Sequence, residues 1–318
     1  MAASDTALVS VCLIGYGEAG KILAQGLSAT GRYAVSAHDI LFSDATSRPM
    51  REAAAAGVTL HDDLTVAIAD ADVIISAVTA SSAHDVVTSV AASIRAGQFF
   101  LDINSVSPAL KQESHALLTS RHARYVEAAV MASIPPYGIA VPMLLGGPHA
   151  AGFMALMAQS GMQMKIASKN IGVASAIKMC RSVMIKGLEA ITVESMLTAR
   201  HYGVEEEVLA SLTETFPGID WPRQADYLVS RVVQHGRRRA AEMREAAHTV
   251  SDAGLTPLLS SAIAERQDWL ADQVQAGIVD KHEKSWREVA DRIAAVSAAA
   301  AATTTAAATE IEVSKKTA

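Results

Sequence analysis

The sequence predicts an α/β chain: a doubly wound N-terminal domain, then an all-helical C-terminal domain with a long helix between them. Three observations predict it. From Leu8 to about Ile166, short β-rich runs alternate with helical segments. A glycine-rich turn, Gly15-Tyr16-Gly17-Glu18-Ala19-Gly20, directly follows the first of these runs. Beyond Ile166 the strand signals stop and only helical periodicity remains. A chain of 318 residues accommodates two domains. The expected division is 1–168, 169–297 and a low-complexity tail over 298–318.

The expected strands are 8–14, 34–39, 73–77, 99–103, 125–128 and 143–145. Several are continuously apolar, as parallel strands buried on both faces must be. A helix should follow the glycine turn and run through Leu27. Ser82 with Asp85 has capping-box spacing, and Ser107 before Pro108 places a capping hydroxyl and an N1 proline ahead of a helix over 109–120. Residues 171–200 contain no proline and are apolar almost all round, which predicts one long, largely buried helix ending before Gly203. Further helices are expected at 205–213, 221–234, 240–253, 257–275 and 282–296. The Ala/Thr-rich tail is expected to fray.

Composition excludes several classes. Half the residues are hydrophobic and 19% are charged, which is incompatible with a mainly disordered chain. The net charge of −6 gives no general attraction to nucleic acid or acidic membranes. The one basic run, Arg237-Arg238-Arg239, reads as a solvated helix face. The two cysteines, Cys12 and Cys180, lie in apolar surroundings and are expected to be buried thiols, with no disulfide framework and no metal spacing. Residues 1–6 carry no signal-peptide pattern, and charges interrupt the apolar stretch over 171–200, so a soluble cytoplasmic protein is expected.

Four segments have residues suited to chemistry. In the glycine turn, Gly15 would permit the tight bend, Gly17 a close approach of backbone to pyrophosphate, and Gly20 close packing of helix on strand. The helix start would offer N–H groups and a partial positive charge through Glu18 and Ala19. The other reading is a helix-start glycine cluster without ligand. Asp39 ends the second strand, 19 positions after Gly20, where a carboxylate can hold both ribose hydroxyls and repel a 2′-phosphate. That favours NAD over NADP; otherwise Asp39 is a turn or cap residue. Val78 and Thr79, just past the strand at 73–77, complete the expected cofactor set.

Lys178 is the third. A lysine in an apolar helix is costly unless paired or functional, and burial moves its pKa toward the range a general acid/base needs. A lysine snorkelling from a domain interface is the alternative. Arg181 and Ser182 lie about one turn on, and Lys186 about two turns on. The fourth segment, Asp102-Ile103-Asn104-Ser105-Val106-Ser107-Pro108, falls at the carboxyl end of a strand, the ligand-binding edge of an open sheet. Asn104 and Ser105 would donate to a substrate carboxylate, or the segment is a plain strand-to-helix loop capped by Ser107.

With Glu127-Ala128-Ala129-Val130 and Gly146-Gly147, these segments resemble the β-hydroxyacid dehydrogenases in order and spacing, the family of the 6-phosphogluconate and 3-hydroxyisobutyrate dehydrogenases. The Lys178 helix looks most like a bacterial branch whose C-terminal domain has no assigned function. The resemblance spans about residues 8–290. It implies a Rossmann-type nucleotide domain with its loop at Gly15–Gly20, a ribose-binding acid at Asp39, a substrate-carboxylate region at Asn104 and Ser105, and a catalytic lysine at Lys178. Three positions depart from the pattern. Met131-Ala132-Ser133 stand where the family has a serine and two glycines. Ser182, beside Arg181, replaces an amide. Ala241-Glu242 replaces a Lys-Asp pair. The resemblance implies hydride transfer between NAD(P) and a small β-hydroxy acid. The alternatives are an imine reductase, whose relatives usually lack this lysine, and a dinucleotide-binding regulator without catalysis. A homodimer or larger homo-oligomer is expected, because the long helix has more apolar surface than one small helical domain covers.

Overall fold

A computed structural model describes residues 8–296 and 298. The N-terminal residues read above for a signal peptide, and all of the tail except Ala298, lie outside the described residues. The chain divides into two compact units. One holds the residues up to Arg181 together with His248–Leu255; the other holds Ser182–Ala247 and the residues from Thr256 on.

The first unit is the α/β part. Its elements are β1 (Val9–Ile14), α1 (Glu18–Ala29), β2 (Tyr33–His38), α2 (Arg48–Ala55), β3 (Thr59–His61), α3 (Leu64–Ala69) and β4 (Val73–Ser76), followed by α4 (Ala83–Ala91), β5 (Phe99–Asp102), α5 (Pro108–Thr119), β6 (Arg124–Val130), β7 (Met143–Gly146), α6 (Ala150–Leu156) and β8 (Met164–Ser168). The strands form one sheet in the order β3-β2-β1-β4-β5-β6-β7-β8. Pairing is parallel from β3 through β6; β7 runs antiparallel to β6, and β8 parallel to β7. The strand order reverses between β1 and β4, which makes their carboxyl ends the ligand crevice of such a sheet.

Alternation within the apolar strands feeds two cores. Val11 and Leu13 of β1, Ile75 of β4 and Leu101 of β5 pack with Leu23 and Leu27 of α1. Cys12 and Ile14, Ile74 and Phe100 pack against Ile68, Val87 and Leu118. This two-sided burial is why the strands read as unbroken apolar runs.

Two strands escape that pattern. β3 has three residues, and β8 is a mostly half-exposed edge strand of mixed polarity, so neither shows an apolar run. The expected capping box also does not form. Ser82 ends a 3₁₀ turn (Ala80–Ser82) in right-handed helical conformation, and its hydroxyl lies 3.0 Å from Thr79 Oγ1 instead of capping α4. Ser107 does cap α5, accepting from the N–H of Leu110 at 3.4 Å with Pro108 at the helix start.

Helix α7 (Val173–Tyr202) extends from the first unit into the second, which continues with α8 (Glu205–Thr215), α9 (Trp221–Asp252), α10 (Leu258–Gln275) and a helix, α11, from residue 286 to at least 296. The last of these starts four residues later than expected, after a turn over 280–285. The two helices expected at 221–234 and 240–253 are one. Gly236, between them, is buried, and a Cβ there would come 2.8 Å from the Gln267 carbonyl oxygen and 2.9 Å from Ala271 Cβ of α10. Close helix packing, and not chain reversal, accounts for the glycine. Val193, Met196, Leu209, Trp221, Val229, Leu270 and Trp286 belong to the core of this unit. Helix α7 is less buried than expected: Met184, Leu188 and Ile191 are exposed on one stripe, and Cys180 is exposed too. No helix among the described residues is long and apolar enough to cross a membrane.

Candidate functional site

The glycine turn joins β1 to α1 at the carboxyl edge of the sheet. Gly15 has φ +93°, and a Cβ there would come 2.6 Å from the Ala77 carbonyl oxygen. At Gly20 a Cβ would meet the Gly15 carbonyl oxygen at 1.9 Å. Both positions therefore require glycine for packing. Gly17, the residue ahead of α1, differs: among the described residues nothing lies within 4 Å of where its Cβ would be. The backbone there is open to a ligand, and the first-turn N–H groups of Glu18, Ala19 and Gly20 have no intrahelical partner. Tyr16 offers backbone only, since its ring is buried 5.9 Å from that of Phe42.

Asp39 stands next to this turn. Its Oδ2 accepts from the N–H of Tyr16 at 2.7 Å, and its Oδ1 caps the following 3₁₀ turn by accepting from Leu41 N–H at 2.9 Å. The cap reading of Asp39 is thus realised. Each oxygen keeps a second acceptor site, so the carboxylate can still receive hydroxyl donors. The N–H of Val78 donates to Asn104 Oδ1 at 2.8 Å, and Thr79 is exposed beside it.

Beyond β5, a buried polar cluster shapes the 102–108 segment. Lys111 Nζ of α5 pairs with Asp102 Oδ1 at 2.8 Å, both side chains fully buried. Tyr125 donates to Asp102 Oδ2 at 2.8 Å, and the N–H of Asn104 donates to Asp102 Oδ1 at 3.0 Å. Burial, then the Asp102 charge, pushes the Tyr125 hydroxyl well above the usual tyrosine range. Asn104 is buried, and its Nδ2 donates to Ser76 Oγ at 2.9 Å. It braces β4 against β5 with both ends of its amide, and one Nδ2 hydrogen is left beyond the bond to Ser76.

Ser105, next in sequence, is half-buried and meets Lys178. Lys178 Nζ donates to Ser105 Oγ at 2.5 Å, across 73 residues of sequence. Glycine turn, Asp39, Ser105 and Lys178 all belong to the first unit. Arg181 is exposed one turn further along α7. Ser182 is buried, and its hydroxyl accepts from Lys186 Nζ at 3.1 Å. Lys186 is itself ion-paired with Glu242 at 2.9 Å inside the helical unit, a structural role for both.

Sequence reasoning gave Glu127 no role. It is fully buried on β6, and its Oε1 accepts from the N–H of Gly172 at 2.8 Å and of Ala174 at 3.1 Å, at the start of α7. Burial raises its carboxyl above the ordinary glutamate range, against the pull of Lys111 and of these N–H groups. The signal for it in the sequence is a carboxylate in an otherwise apolar strand.

Residues 10–148 match the NAD binding domain of 6-phosphogluconate dehydrogenase, and residues 199–270 match a domain of unknown function. A conserved hypothetical protein from Sinorhizobium meliloti is 36% identical, with TM-score 0.72 over 90% of this chain and 97% of that one. A conserved protein of unknown function, described as structurally similar to 3-hydroxyacid dehydrogenases, is 28% identical, with TM-score 0.66 over 84% of this chain and 99% of that one. A Mycobacterium tuberculosis 3-hydroxyisobutyrate dehydrogenase shares the fold at 19% identity, with TM-score 0.68 over 90% of this chain and 99% of that one. The chain belongs to the β-hydroxyacid dehydrogenase-like family that joins a 6-phosphogluconate-dehydrogenase-type NAD-binding domain to a C-terminal helical domain of unknown function.

Proposed function

We propose that this protein is an NAD-dependent oxidoreductase acting on a small β-hydroxy acid or its keto form, with Lys178 as general acid/base. The observation that carries the reading is the 2.5 Å contact of Lys178 Nζ with Ser105 Oγ, in the unit that also holds the glycine turn. Gly15, Gly17 and Gly20 would hold a dinucleotide, the open backbone at Gly17 taking its phosphates and Asp39 its ribose. When bound, the nicotinamide supplies the carbon that exchanges a hydride with the substrate.

The protein's own groups handle proton and charge. In the oxidation direction, Lys178 as a neutral amine takes the hydroxyl proton while the C–H bond of the same carbon breaks. In reduction the ammonium returns it to the carbonyl oxygen. Ser105 accepts from Lys178 and so keeps its own hydroxyl proton free for a substrate carboxylate. Arg181 adds a fixed cation to the same helix, which suits an acidic substrate.

A panel of small β-hydroxy acids with NAD⁺, followed by cofactor absorbance, tests the reading, with a parallel panel of ketones plus amines and NADH. Turnover in the first panel supports it. Turnover confined to the second makes the protein an imine reductase, and NAD binding with turnover in neither makes it a dinucleotide-binding protein without this chemistry.

A further inference from the structure

We infer that Glu127 is the positioning residue for Lys178: its buried carboxylate tethers the first turn of α7, and Gly146 is a glycine in order to make room for it. The inference rests on Lys178 as the acid/base, but the tether has consequences of its own.

A helix begins with N–H groups that lack intrahelical partners. The residue ahead of α7 is Gly172, in left-handed conformation at φ +94°, and it has no side chain with which to cap. The acceptor comes from 45 residues away, where Glu127 Oε1 takes both the Gly172 and the Ala174 N–H. A carboxylate at a helix start is also favoured by the helix dipole. Space for it is created across the sheet. β6 and β7 are registered so that Glu127 faces Gly146, where a Cβ would come 2.2 Å from Glu127 Oε1. Any other residue at 146 would collide with the carboxylate.

Ala174 and Lys178 are four residues apart, one above the other on a helix face. The tether therefore sits one turn below the amine. Ser105 is held from the other side by the loop that Asp102 and Lys111 organise. The Lys178–Ser105 contact is thus fixed at both ends by buried carboxylates, and Glu127, Gly146 and Lys178 form one device.

Amide hydrogen exchange over residues 172–178, with the NMR signal of ¹³C-labelled Lys178 on the full-length protein, tests this without a substrate. In Glu127→Ala, exchange at the start of α7 should rise about tenfold or more, the scale of one lost charge-assisted hydrogen bond. The Lys178 signal should move as it does in Ser105→Ala, with β1 and α1 unchanged. Glu127→Gln keeps an acceptor and should recover most of both readouts. Should Glu127→Ala not fold, Gly146→Ala displaces the carboxylate instead and should give the same two changes. An unaltered Lys178 signal in the folded variants, or loosening spread evenly through the unit, overturns the inference. Loss of the acid/base reading would appear separately, as full turnover in Lys178→Ala with the tether intact.

Discussion

The backbone N–H of Tyr16 donates to Asp39 Oδ2 at 2.7 Å, so the acid after the second strand also anchors the glycine turn. A 2′-phosphate beside this carboxylate would meet a like charge, worth roughly 1–4 kcal/mol at about 4 Å near a protein surface. Arg48, nine residues on, is engaged with Glu52 at 2.8 Å. NAD(H) should bind about tenfold or more tightly than NADP(H) in fluorescence titrations. Asp39→Ala should narrow the gap and weaken both cofactors, because the turn loses its anchor. Equal or tighter NADP(H) binding by the unaltered protein would remove Asp39 from the ribose.

Lys111 and Asp102 make a fully buried ion pair, and Asp102 also serves Tyr125 and Asn104. Lys111→Met leaves the Asp102 charge without its cation in a dry site, a loss of about 3–5 kcal/mol. The thermal midpoint should fall by about 10 °C. A midpoint within about 2 °C of the parent would mean that the cluster relaxes or admits water.

His235 on α9 is held down to about 4 by burial first, then by Arg231, Arg238, Arg239 and Lys281. A histidine with a depressed folded-state pKa binds its proton more readily when unfolded. Its contribution to stability is therefore intact above about 6.5 and is lost as the pH falls from there toward 4. His235→Gln should flatten the melting-temperature profile in that window. An unchanged slope would assign the acid sensitivity of that window to another group.

Met184 and Ile191 of α7 are 67% and 66% exposed, and Leu188 lies between them at 41%. Their spacing makes one apolar stripe on the helix. A second copy of the chain is the expected cover, so light scattering should give a dimer or larger species. A species of 33.3 kDa at micromolar concentration would contradict this, and Met184→Glu with Ile191→Glu should shift the assembly toward that mass.

Local signals carried the outline. The glycine turn, the apolar strands β1, β2, β4, β5 and β6, and the proline-led α5 are each set by neighbours within a few residues, and those patterns are visible in the chain. Edge strands β3 and β8 are not, because an edge needs no apolar run. The break expected between 234 and 240 does not occur, because what Gly236 accommodates is a helix distant in sequence, and Ser82 does not cap because its hydroxyl meets Thr79. The site divides in the same way. Lys178 stands out as a cation in an apolar helix, and Ser105 as a polar residue at a strand end. That Asn104 braces two strands, or that Glu127 reaches α7, depends on partners 26 to 47 residues away.

The most direct measurement is turnover of Lys178→Ala on a substrate found in the hydroxy-acid panel, with NAD affinity and melting temperature measured beside it. A general acid/base contributes about 10²- to 10⁴-fold in rate, while the cofactor contacts lie at the glycine turn and Asp39. Turnover should fall at least about a hundredfold, with both other quantities nearly unchanged. Lys186→Ala is the control. It removes the ion pair with Glu242 in the helical unit, so it should lower the melting temperature yet retain turnover. The reverse pattern, full turnover in Lys178→Ala and none in folded Lys186→Ala, would contradict Lys178 as the acid/base and move the chemistry two turns along α7.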